Sequence, residues 1–428
     1  MSAKTKLFLS NSNPKILTIF ATLAAFCIYT SMYAFRKAFS VAEFENITFF
    51  GIDYKIILIS AQIIGYTISK FIGIKIVAEI TSKNRGKLIL ALTLISGFSL
   101  FLFAVIPQPY NIICLFLNGL PIGMIFGLVY TYLEGRKITE ILVLGLSLTM
   151  IVSSGFIKSI GKLILSLGVS EFWMPFVVVL TFLPLLLLAV WMLNQIPAPS
   201  EEDIEKRTKR NPMHKAERKR FLREFKLGLI FFLLAYTILT MFRDFRDNFA
   251  VEIWKDLGFG DNISIYSKTE IPIGISVVIV MTSLNWIKNN TKAFYVIHLV
   301  SIVGAMSIGI STYLFELQII SPFLWMTLLG LGLYISYIPA NTIFFERLVS
   351  SFKYISTAGF MVTLADFYGY FGSVGILFYK NFGNSQLSYL SFFKSASYII
   401  SFAVSFLFVL SFLYFYTKVR SQNQSSNK

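Results

Sequence analysis

The sequence predicts an all-α membrane protein of twelve transmembrane helices in two related sets of six. Three observations carry that prediction. Of 428 residues, 56% are hydrophobic and only 14% are charged, and mean hydropathy is +0.70. Apolar runs of about 20 residues, the length that crosses a bilayer as a helix, recur from end to end. Residues 29–36 (YTSMYAFR) return as 236–243 (YTILTMFR), with Tyr, Thr, Phe and Arg at the same internal spacing.

The expected spans run in order, with approximate bounds. The first six are 16–36, 54–79, 87–106, 110–133, 139–166 and 172–196. The second six are 226–249, 264–287, 292–315, 320–345, 354–379 and 389–417. The first run continues to Phe35 without a small-residue cleavage site, so it reads as a retained helix rather than a signal peptide. Between the two sets lies 197–225, the only long polar stretch. The expected division is therefore 1–196 as one six-helix bundle, 197–225 as a basic cytoplasmic linker and 226–428 as the second bundle.

The net charge of +16 invites a nucleic-acid reading, but its distribution argues against one. Ten Lys and Arg sit in 206–226, and most others occupy alternate short loops. That alternation follows the positive-inside rule and predicts both termini in the cytoplasm. The linker charge suits anionic lipid headgroups. Cys27 and Cys114 both lie in apolar runs, and His214 and His298 are far apart. Neither a disulfide framework nor a metal site is expected, and no cofactor loop is present in the pattern.

Charge inside the apolar runs is where function should be sought. A charged side chain at mid-membrane costs about 2.5 kcal/mol or more, so it faces the bundle interior. Tyr29, Tyr33 and Arg36 fall at i, i+4 and i+7 and form one polar stripe, repeated by Tyr236, Thr240 and Arg243. Tyr66 and Lys70 make an i, i+4 pair in the second span, and Lys158 and Lys162 another in the fifth. Arg36, Lys70, Lys158 and Arg243 then predict a positive cavity suited to an anion. Guanidinium favours planar, bidentate oxygen recognition, as in phosphate. Asn118 and Asn341 could orient the rest of an ester. Asp366 could neutralise a lysine or carry a proton, and Asp244 and Asp247 stand beside Arg243 and Arg246 as local partners. The plainer alternative has Arg36 ending its helix and snorkelling to the interface, about 30 Å along from Lys15. The glycines at 119, 123, 127, 155 and 161 read first as close-packing contacts.

These residues resemble the major facilitator superfamily, and more closely its organophosphate:phosphate antiporters, the glycerol-3-phosphate and hexose-phosphate transporters. The likeness rests on Tyr33, Arg36, Lys37 and Phe39 at the end of the first helix. YTISKF, Tyr66 to Phe71, precedes a basic turn in the second, and NGLPIGMIFG with LEGRKITE marks the fourth. The resemblance implies the major facilitator fold, with Arg36 and Arg243 as paired phosphate-binding arginines. Lys70 would be the second-helix lysine, with Tyr29, Tyr33 and Tyr66 around the site. Lys158 stands where that family often has histidine. MYAFRKAF, LNGLPIGM and SEFWMPF also resemble an uncharacterised multi-pass bacterial family, from which no activity follows.

The expectation is a monomeric secondary transporter in the bacterial cytoplasmic (inner) membrane, not an enzyme. It would move an organic anion, a phosphate ester exchanged for phosphate, by alternating access. Two alternatives stay open: a proton-coupled symporter using Asp366, and a membrane sensor that binds the anion without carrying it.

Overall fold

A computed structural model describes residues 2–133, 139–198, 215–339, 343–352, 359–383 and 388–426. It is almost wholly helical. A short α1 (Ser2–Asn11) precedes α2 (Pro14–Lys37). Then come α3 (Tyr54–Glu79), α4 (Ser82–Val105), α5 (Ile112–Ile122), α6 (Ile125–Leu133), α7 (Thr139–Ser166) and α8 (Met174–Gln195). The second set is α9 (Lys215–Glu224), α10 (Lys226–Asn248), α11 (Ala250–Asp256), α12 (Ile265–Asn285) and α13 (Asn290–Glu316). It ends with α14 (Pro322–Pro339), α15 (Phe345–Ser351), α16 (Gly359–Gly383) and α17 (Tyr389–Ser426).

Among the described residues, eleven stretches are long and apolar enough to cross a membrane, and the chain is a multi-pass membrane protein. The remaining predicted span, 354–379, falls on α16, where several side chains lie outside the described residues. The predicted fourth span divides into α5 and α6 around Gly123. Pro121, which cannot donate to the helical ladder, sits just before the break.

Local chemistry explains where the helices begin. Asn13 precedes Pro14, and its side chain accepts from Lys15 N at 2.9 Å. Proline has no N–H to lose in a first turn, so the pair is a strong start signal. A two-strand hairpin, Thr48–Phe49 against Ile52–Asp53, precedes α3. Its turn residues Phe50 and Gly51 both have positive φ, the tight-hairpin conformation. Asp53 ends the hairpin and caps α3 by accepting from Lys55 N at 2.9 Å.

Contacts divide the chain into two compact units. The first comprises 1–208 with 248–268, and the second 209–247 with 269–428. In the first, α3 and α5 press backbone to backbone. A Cβ on Gly119 would overlap the Gln62 carbonyl, one on Gly123 the Tyr66 carbonyl, and one on Gly65 the Phe116 carbonyl. Small residues on both sides are how membrane helices reach such proximity. In the second unit, α13 and α14 do the same through Gly304 and Gly332.

Candidate functional site

Arg36 lies in the last turn of α2 and is only 6% exposed. Its guanidinium carbon stands 3.9 Å from the centroid of the Tyr66 ring, and Lys70 Nζ stands 5.5 Å from the same centroid. Two cations thus share one aromatic plate, each cation–π contact contributing about 0.5–2 kcal/mol. Tyr29 and Tyr33 meet edge to face at 5.6 Å, and Tyr29 also meets Phe126 at 5.6 Å.

The backbone behind Arg36 is tied down by amides. Gln62 Nε2 donates to the Arg36 carbonyl at 2.8 Å and to Asn118 Oδ1 at 2.7 Å. Asn118 Nδ2 donates to the Phe35 carbonyl at 2.9 Å and to Ser96 Oγ at 2.7 Å. Asn118 therefore binds four helices of the first unit together, and its amide is committed to scaffolding rather than to orienting an ester. Asn341 lies outside the described residues.

Lys158 is 4% exposed, in the interior of α7, and donates to Ser154 Oγ at 3.0 Å. Thr30 and Ser153 share a hydrogen bond of 2.7 Å that fixes the register of α2 against α7. Both are odd-numbered spans, so they run the same way. Arg36 lies six residues beyond Thr30 and Lys158 five beyond Ser153, which is about 9 and 7.5 Å of rise. The two buried cations sit at nearly one depth. Lys162, one turn on, turns instead toward Glu43 at 4.0 Å.

Arg243 repeats Arg36 by sequence but not by environment. It packs over Tyr337 at 4.5 Å, and its Nη2 is 2.8 Å from Asp244 Oδ1. Asp244 Oδ2 accepts from Ser373 Oγ at 2.8 Å. Tyr337 stacks on Tyr236 at 4.9 Å and accepts from its hydroxyl at 2.9 Å. Nearby in sequence, Arg246 pairs with Glu270 at 2.7 Å and donates to the Met326 carbonyl at 3.3 Å. Sequence spacing exposed the Asp244 partner but not Glu270, which is 24 residues away on α12. The side chain of Asp366 lies outside the described residues.

Among the described residues, no group of three or more His, Cys, Asp or Glu is arranged to hold a metal ion. His298 is buried, its Nδ1 2.9 Å from the Phe294 carbonyl and its Nε2 3.2 Å from Ser411 Oγ.

Solved structures of transporters share this architecture. A point mutant of the nucleoside transporter NupG aligns over 93% of this chain and 99% of its own, with a TM-score of 0.63 at 12% identity. A D-xylose-proton symporter aligns over 92% and 97%, with a TM-score of 0.62 at 16% identity. NupG itself gives 0.60 at 15% identity, over 94% and 98%. The chain accordingly has the major facilitator fold. No curated protein matches it in sequence. One family model covers 38–418, and on that match the chain belongs to DUF5690, a family of unknown function.

Proposed function

We propose that the chain is a secondary transporter of a small organic anion, working by alternating access, with the anionic group held in the first unit. The carrying observation is the convergence of Arg36 and Lys70 on the Tyr66 ring, with Lys158 buried on α7 at the depth of Arg36. Buried cations favour an anion, and the Tyr66 ring packs against two of them. Arg36 offers a planar fork to oxyanions; Lys70 and Lys158 add point charge. Tyr29 and Tyr33 lie on the same helix face and supply hydroxyls. A phosphate ester exchanged for phosphate is the specific cargo this chemistry favours. Arg243 is salt-bridged to Asp244 within the second unit. The same reading sets it in the bacterial cytoplasmic membrane with both termini inside, an orientation that the alternation of basic loops supports.

The test is uptake of labelled phosphate into proteoliposomes preloaded with phosphate or with sugar phosphates. Exchange that requires Arg36 and Lys158 supports the reading; exchange unchanged by Arg36→Ala ends it. Saturable binding without flux would assign a sensor instead.

A second reading is proton-linked symport of another small solute. Two carboxylates set against guanidinium groups inside the second unit, Asp244 and Glu270, favour it. So does the likeness to a D-xylose-proton symporter. A pH gradient should then drive uptake, and Asp244→Asn, Glu270→Gln or Asp366→Asn should uncouple it.

A further inference from the structure

At one end of the second unit the outward faces of two helices change from apolar to cationic, and α17 sets the depth of that change. Ile399, Phe402, Phe406, Val409, Leu413 and Tyr416 recur alternately three and four residues apart, all are exposed, and together they make one apolar stripe. From Ile399 to Tyr416 the stripe rises about 26 Å, close to the thickness of a bilayer's hydrocarbon core. Its next position is Arg420, exposed and about 6 Å further on, at the depth of lipid headgroups.

The joined helices α9 and α10 repeat the change. Leu227, Ile230 and Leu234 are exposed along α10. The same spacing carried back reaches Arg223 and Arg220, both exposed on α9. Helical bonds pass through the joint: Phe225 N donates to the Phe221 carbonyl and Leu229 N to the Phe225 carbonyl, both at 3.0 Å. One face therefore runs on from α10 to α9. Lys219 and Lys226 are exposed on the same face, and Glu224 is the only acid in 219–227.

The joint is fixed at the headgroup level of α17. Tyr414 Oη donates to the Glu224 carbonyl at 2.9 Å, and Lys418 Nζ donates to the same carbonyl at 3.3 Å. On the inner side, the Phe225 ring lies 4.6 Å from Phe352 and 4.9 Å from Phe221, all three buried. Basic loops orient a membrane protein through the number of Lys and Arg they carry, which requires no fixed direction. Here aromatic packing aims four cations the way the apolar stripe of α10 faces.

We propose that Lys219, Arg220, Arg223 and Lys226 bind anionic phospholipid headgroups in the leaflet where both stripes end, making anionic lipid a partner of the second unit. The chemistry matches. Guanidinium forks pair with phosphate oxygens, and lysine stems lie along apolar surface while their ammonium groups reach outward. Each cation near an anionic lipid surface strengthens binding about fivefold. The lipid site is independent of any cargo and is tested without one.

The whole protein, immobilised in neutral detergent, is titrated with radiolabelled phosphatidylglycerol or phosphatidylcholine in mixed micelles, and the retained lipid is counted. The parent retains phosphatidylglycerol about tenfold or more in preference to phosphatidylcholine. The preference fades toward 1 M salt, where the screening length falls to about 3 Å. Arg223→Gln with Lys226→Gln weakens phosphatidylglycerol binding about tenfold or more, and adding Lys219→Gln and Arg220→Gln removes the preference. Unfolding temperatures without lipid stay at the parent value, because all four side chains are exposed. Lys83→Gln with Lys87→Gln, exposed cations of the first unit, leaves phosphatidylglycerol binding unchanged. The lipid site is overturned if phosphatidylglycerol binds no better than phosphatidylcholine, or if the fourfold variant keeps the parent's preference. It is also overturned if the Lys83 and Lys87 control loses as much. Displacement by inorganic phosphate beyond that by sulfate of equal ionic strength overturns it as well, because the occupant is then a free anion.

Discussion

Arg36 and Arg243 occupy equivalent places in the sequence repeat and equivalent ends of their helices, but the molecule treats them differently. Arg36 is backed by an aromatic ring and by amides that bind its backbone. Arg243 also has its ring, but a carboxylate lies one residue away and a serine completes that carboxylate. The Asp244 carboxylate at 2.8 Å offsets much of the Arg243 charge, and the Tyr66 ring packs against Arg36. The two copies of the repeat thus surround their arginines differently.

The largest effect that would break this comparison is on stability. Arg243→Ala removes the guanidinium from beside the buried Asp244 carboxylate, at a cost of about 3–5 kcal/mol. Adding Asp244→Asn should recover much of the lost unfolding temperature. If Arg243→Ala is as stable as the parent, the second half is not charge-compensated through this pair. Arg36→Ala should do the reverse. It should reduce anion exchange or affinity about 10- to 100-fold, the worth of a charged hydrogen bond, with a smaller change in unfolding temperature. Arg36→Lys should restore only part, because the planar fork is lost.

Next in size is the glycine seam of the first unit, beside Gln62 and Tyr66. Gly119→Ala forces a methyl against the Gln62 carbonyl and should cost about 1–3 kcal/mol by overpacking, read as a lower unfolding temperature. Gly168→Ala, where no atom lies within 4 Å, meets no such crowding and tests only its positive φ.

The smallest effect concerns Lys255, half-exposed on α11, which binds Glu43 at 2.7 Å and also Glu45. Hydrogen bonding to Lys255 pulls the Glu45 carboxyl below its ordinary value, and Glu43 and Glu45 raise the Lys255 ammonium above its own. A lowered acid stabilises the folded form above its unfolded pKa, about 4.3, and loses that contribution as pH falls through the folded value. A raised lysine stabilises below about 10.4 and loses its share only as pH rises past that. The difference in unfolding temperature between the parent and Lys255→Ala should therefore hold from about pH 5 to 10. It should shrink in more acidic buffer.

Much of this architecture is legible in the sequence, because a bilayer demands long apolar runs and helices are the form they take. The second span was expected at 54–79, and the helix is Tyr54–Glu79. The stripe of Tyr29, Tyr33 and Arg36 is buried, as helical spacing and the cost of charge in hydrocarbon imply. The glycines at 119 and 123 proved to be packing contacts for a backbone reason that pattern alone suggests. What pattern could not reveal were pairings across long sequence distance. Lys55 opens its span like any interfacial lysine, and nothing local announces Glu252, 197 residues on. Asn118 looked like a ligand-orienting amide, but three carbonyl and hydroxyl groups from distant helices claim it. Short helices such as α11 carry too few turns to show a period.

The glycine seam has one more consequence. Tyr66 hangs from a backbone whose carbonyl leaves no room for a methyl on Gly123, so the helix that bears the aromatic plate cannot shift toward α5 to make way for a bulkier guest. Any pocket lined by that ring has one inflexible wall, and tolerance toward guests of different girth must be supplied by other, softer segments.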